Sequence, residues 1–110
     1  MSPRRHAMSF LVTLHEPVGI DLLAEEVAGA LGIGLGPGEE RGLPNSYVGE
    51  LAGLNIWLYI TDLQTSDAPQ RTVLMGEPIS PPGEAAEWVN LGPPIADQLA
   101  ESTGRAWKSE

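Results

Sequence analysis

A chain of 110 residues with 42% apolar and 19% charged side chains has the composition of one globular domain, and no segment approaches the roughly 18 apolar residues that span a bilayer. Cysteine is absent, which excludes a disulfide framework, a thiolate nucleophile and a thiolate metal ligand. Fifteen acidic against six basic residues give a net charge of −9, a field that repels nucleic acid and anionic membrane and steers toward basic partners.

Arg4 and Arg5 precede an apolar run at 8–14, the order in which an export signal begins. The run is at the short limit for such a signal, stops at His15, Glu16 and Pro17, and lacks a small-residue cleavage site. A twin-arginine signal fails too, because His6, Ala7 and Met8 follow the arginine pair. Residues 1–7 read as a disordered or tag-like tail, 8–110 as a single domain, and the location as cytoplasmic. Over 8–110 fifteen acidic residues meet four basic ones, a net charge of −11.

Residues 9–15, SFLVTLH, alternate as a strand with Phe10, Val12 and Leu14 on one face. Pro17 and Gly19 break it. Asp21 is placed to cap a helix, along which Ile20, Leu23, Val27 and Leu31 recur on one side. Gly32 ends that helix where a left-handed residue is wanted. The stretch that follows, GIGLGPGEERG, has the glycines of a phosphate loop but not its position. Phosphate loops open a helix, so that its N-terminus meets the anion; these glycines follow a helix, at its negative end. Neither GxGxxG nor GxxxxGK fits, and Glu39 and Glu40 repel a phosphate. The stretch therefore reads as a flexible helix-to-strand connection that binds no nucleotide.

Residues 46–62, SYVGELAGLNIWLYITD, read as a hairpin turning at Ala52 and Gly53. A two-residue turn pairs Leu51 with Leu54 and Tyr47 with Leu58. Leu54, Ile56, Leu58 and Ile60 then form the core face; Asn55, Trp57, Tyr59 and Thr61, with Val48 and Glu50, form the other. DLQTSDAPQ reads as a polar loop, and RTVLMGEPI as a strand ended by Pro78. In the proline-bounded segment 80–94, Trp88 and Leu91 anchor a short strand or helical turn. Pro93 and Pro94 introduce a last helix with Ala96, Leu99 and Thr103 down one side; either it runs on to Trp107, or Gly104 stops it early and leaves RAWKSE extended. The order predicts an α+β fold: a small antiparallel or mixed sheet of 3–5 strands with two helices on one face, leaving the second face partly open.

Catalytic arrangements are missing. His15 and Glu16 do not extend to HExxH, no serine lies in a GxSxG context, and neighbouring acid pairs such as Glu25 and Glu26 diverge on a helix. Zinc has no ligand set and calcium no loop, so no enzyme activity, metal or cofactor is expected. Trp57 and Tyr59, rimmed by Glu50 and Asp62, have the composition of a protein-binding surface. A second small core, closed by the segment carrying Trp88, accounts for the same aromatics.

SYVGELAGLNIWLYITD together with the closing ADQLAESTGRAWKSE resembles the small acidic immunity proteins of bacterial, particularly actinobacterial, toxin–immunity systems. Their members bind and block a cognate toxin in the cytoplasm, and their folds are diverse, so no binding residue is carried over. The resemblance implies a non-catalytic inhibitor, monomeric or weakly dimeric, that occludes a toxin's basic active-site cleft in interbacterial competition, with Trp57, Tyr59, Glu50 and Asp62 as candidate contacts. The alternative is a non-catalytic small-molecule-binding or accessory subunit using the open sheet face.

Overall fold

The computed structural model describes residues 6–43, 45–51, 53, 55–65, 68–79 and 87–109. In chain order they form β1 (His6–Leu14), α1 (Ile20–Leu31), β2 (Gly36–Pro37), a 3-10 turn (Gly38–Arg41), β3 (Ser46–Leu51), β4 (Ile56–Thr65), β5 (Ala68–Pro78), β6 (Glu87–Asn90), α2 (Gly92–Thr103) and β7 (Lys108–Ser109). One sheet holds every strand in the order β2-β3-β4-β5-β1-β6, with β7 beside β1. Its pairings are antiparallel except that of β1 with β6. The α+β class stands, but the sheet has seven strands where three to five are expected. Those added are short: β2 and β7 have two residues each and β6 four, too few to display a period-2 pattern.

Alternation decides what each strand buries. Phe10, Val12 and Leu14 of β1, Ile56, Leu58 and Ile60 of β4, and Leu74 of β5 form one cluster with Leu23, Ala24 and Val27 of α1 and Ala96 and Leu99 of α2. Both helices therefore cover the same face, as the order of elements predicts. Full burial of each Leu or Ile contributes roughly 1.5–3 kcal/mol, so this inner layer dominates the stability. Gly76 lets Phe10 lie flat on β5: a Cβ there would stand 2.3 Å from Phe10 Cε1. Trp107 closes the cluster from beyond α2 and is 5% exposed, although its Nε1–H has no acceptor among the described residues.

Five local expectations are corrected. Asp21 does not cap α1; Gly19 holds the N-cap position without a side-chain bond, and the Asp21 carboxylate accepts the Tyr47 hydroxyl instead. The 46–62 hairpin pairs Leu51 with Ile56 and Tyr47 with Ile60, two residues out from the expected register. Asn55 takes up a positive φ of 55° in the longer turn, and a shift of two leaves every side chain on its expected face. Residues 62–65 and 68–70 of the polar segment are strand and not loop, because β4 and β5 carry their ladder to Thr65 and Ala68. Part of the glycine-rich connection is built in: Gly36 and Pro37 pair with Val48 and Tyr47, and the 3-10 turn follows. β1 also begins at His6, two residues before the expected domain boundary. Leu54, expected on the core face, lies outside the described residues.

Both helices end on left-handed glycines as expected, Gly32 at φ 67° and Gly104 at φ 72°. The second sends the chain back across α1. Arg105 Nε and Nη2 donate to the two Glu26 oxygens at 2.7 and 2.8 Å, and Nη1 reaches Glu16 at 3.4 Å. The Ala106 N–H donates to the other Glu16 oxygen at 3.1 Å. This clasp spans residues 16, 26 and 105, and it explains why acids on α1 are not simply a solvated face. Hydrogen bonds from Arg105 hold the Glu26 carboxyl below its ordinary value of 4.5. A depressed folded-state value adds stability that is present above the ordinary carboxylate range and is lost as pH falls through the lowered one. Thermal denaturation is therefore expected to show a stability that declines below about pH 4.5, with Arg105→Ala flattening that decline.

Candidate binding face

The face of the sheet turned away from the helices carries the odd-numbered residues of β1, of β4 as far as Thr61 and of β5 from Arg71 on, and the even-numbered residues of β3. The register sets them in rows. Glu50, Trp57, Glu77 and Ser9 form one row, ending on Asn90 of β6. Val48, Tyr59, Met75 and Leu11 form the next, and Ser46, Thr61, Val73, Thr13 and Lys108 a third. Trp57 and Tyr59 stack across the first two rows, with ring centroids 5.8 Å apart and planes at 19°. An offset-stacked pair of this kind fixes both rings and presents a large rigid surface at low entropic cost.

Trp57, Tyr59, Val48 and Met75 are half-buried, and Leu11 is 38% exposed. Trp88 pairs with Ala7 at the edge of the same face and is 62% exposed. Among the described residues no helix lies over this face, and Trp88 stands at its border instead of closing a second core. Large apolar side chains exposed together on a small domain mark a site of interaction.

Three of the four residues expected in a binding patch thus share one face: Trp57, Tyr59 and Glu50. Asp62 does not join them. It follows Ile60 onto the helix side of β4, where its carboxylate accepts the hydroxyl of the fully buried Thr72 at 2.8 Å. The acidic rim of Trp57 is supplied by its two cross-strand partners, Glu50 and Glu77. Glu77, Met75 and Leu11 were legible in principle, since the alternation that buries Phe10 and Leu74 turns them outward.

A second concave region lies between α1 and the β2–β3 edge, on the helix side. Two adjoining hollows of about 280 and 430 Å³ share Asp21 and Tyr47, and Glu25 and Glu39 complete their acidic lining. The hydrogen bond to Asp21, then burial and the surrounding carboxylates, keep the Tyr47 proton in place and raise its pKa above the ordinary tyrosine value. A phenol held protonated among carboxylates is a poor nucleophile and a poor base, and the arrangement repels anions.

Among the described residues no group of three His, Asp or Glu side chains could hold a metal ion, and no helix is long and apolar enough to cross a membrane. No family model, curated protein or solved structure matches this chain.

Proposed function

We propose that this protein is a binding protein without chemistry of its own, and that it acts as an immunity protein, neutralising a cognate bacterial toxin by covering the toxin's basic active-site cleft. The observation that supports it is the outer sheet face: a stacked aromatic pair in an apolar field, flanked by Glu50 and Glu77, on a chain of net charge −9. Aromatic anchors supply affinity at the centre of an interface, while complementary charge speeds encounter and selects the partner. The resemblance of 46–62 and 96–110 to acidic immunity proteins agrees with it and points to action in the cytoplasm, where a toxin would meet its inhibitor. The supporting cell experiment is co-expression with the protein encoded beside this chain. Growth is expected to be restored by the wild type and lost with a folded Trp57→Ala variant. A neighbour that is harmless, or one that remains lethal alongside the wild type, contradicts the immunity reading.

A further inference from the structure

β1 changes its outer neighbour part-way along. Ser9 pairs with Asn90 of β6, whereas Val12 pairs with Ser109 of β7. At this fork Phe10 and Leu11 have no strand partner on that side among the described residues, and the outer face opens into a hollow of about 300 Å³. Ser9, Leu11, Met75, Glu77 and Asn90 surround it, over the strand backbone at Phe10 and Gly76.

We infer that this hollow seats an arginine side chain of the protein partner, an assignment that rests on reading the outer face as the binding face. Leu11 and Met75 give apolar walls along which the methylene stem of a long cation lies. Glu77 presents a carboxylate that a guanidinium meets with two parallel hydrogen bonds. Trp57 is the cross-strand partner of Glu77 and borders the hollow across β5 without lining it, so a guanidinium paired with Glu77 sits next to the aromatic pair. Lysine satisfies the charge but not the fork, which makes arginine the better occupant. A second copy of this chain is a poor one, because it brings the same carboxylates and another net charge of −9.

The test titrates the peptide acetyl-Val-Arg-Val-amide into isotope-labelled protein and follows its NMR signals, with lysine and citrulline versions in parallel. Saturable shifts are expected at the amides of Ser9, Leu11, Met75 and Glu77 and at the Trp57 indole. They should be weaker with lysine and absent with citrulline, which keeps the shape and loses the charge. Glu77→Gln is expected to weaken arginine-peptide binding on the order of tenfold, as loss of a charge-assisted pair does. Shifts that are absent, equally strong with citrulline, or centred on the crevice of Asp21, Glu25 and Glu39 overturn the assignment. Binding of the toxin separates this from the broader reading. If Trp57→Ala abolishes that binding and Glu77→Gln leaves it intact, the arginine seat fails and the face stands. If neither variant changes it, both fail.

Discussion

Leu58→Ala is expected to remove about 2–5 kcal/mol of folding stability, while Trp57→Ala, its immediate neighbour, removes about 1 kcal/mol. Leu58 has no exposed surface and sits in the cluster between β4 and the helices, so truncation leaves a cavity that rigid strands cannot close. Trp57 points the other way, is half-buried, and loses a stacked neighbour but no enclosed core. Urea denaturation of the two variants measures the difference as a shift in midpoint at constant slope. Equal losses, or a larger one for Trp57→Ala, would mean that the outer aromatics belong to a second core.

The second large effect is on binding. Trp57→Ala is expected to cost about 2 kcal/mol of affinity for the toxin, roughly a thirtyfold rise in Kd. Calorimetry measures it directly. The carboxylates divide differently. Glu50→Lys places a like charge beside Trp57 and is expected to slow association, with a salt dependence weaker than that of the wild type. Asp62→Lys makes the same change in net charge from the opposite side of the sheet, where it breaks the bond to Thr72. Its main effect is expected on stability, and stopped-flow association with each variant separates local charge from global field. Asp62→Lys slowing association as much as Glu50→Lys would contradict the placement of the interface.

Much of this frame was legible from residue patterns. The alternation of Phe10, Val12 and Leu14, and that of Ile56, Leu58 and Ile60, by itself names the inner face, and the spacing of Leu23, Val27, Ala96 and Leu99 names the helix faces. Gly32 and Gly104 announced both helix ends, because a left-handed residue is needed there. Short elements were legible only in part. The Trp88 segment was open between a short strand and a helical turn and is the strand β6, whereas β2 and β7 exist because neighbouring strands offer free edges, and two residues carry no period of their own. Asp21 escaped for a related reason: its local role as a cap lost to a partner 26 residues away. Arg105 likewise gives no local sign that it joins Glu16 and Glu26.

The candidate site divides in the same way. Period-2 alternation was enough to put Trp57 and Tyr59 together and to set Glu50 beside them, since those residues belong to one hairpin. Applied strictly, the same rule places Asp62 with Ile60 and so on the inner face; proximity in sequence to Tyr59 suggested otherwise. Bringing Glu77 to Trp57, and Leu11 to Met75, takes the pairing of β5 with both β4 and β1, which is a tertiary fact.

The three tryptophans of the chain occupy three environments: Trp57 on the outer face, Trp88 exposed at its edge, and Trp107 in the inner cluster. Their indole N–H signals therefore report on the central claim in one NMR titration with the toxin. A partner seated on the outer face is expected to shift or broaden the Trp57 signal strongly and to leave Trp107 where it is. A complex in which Trp57 keeps its free position while Trp107 or neither indole responds would contradict the outer face as the binding surface.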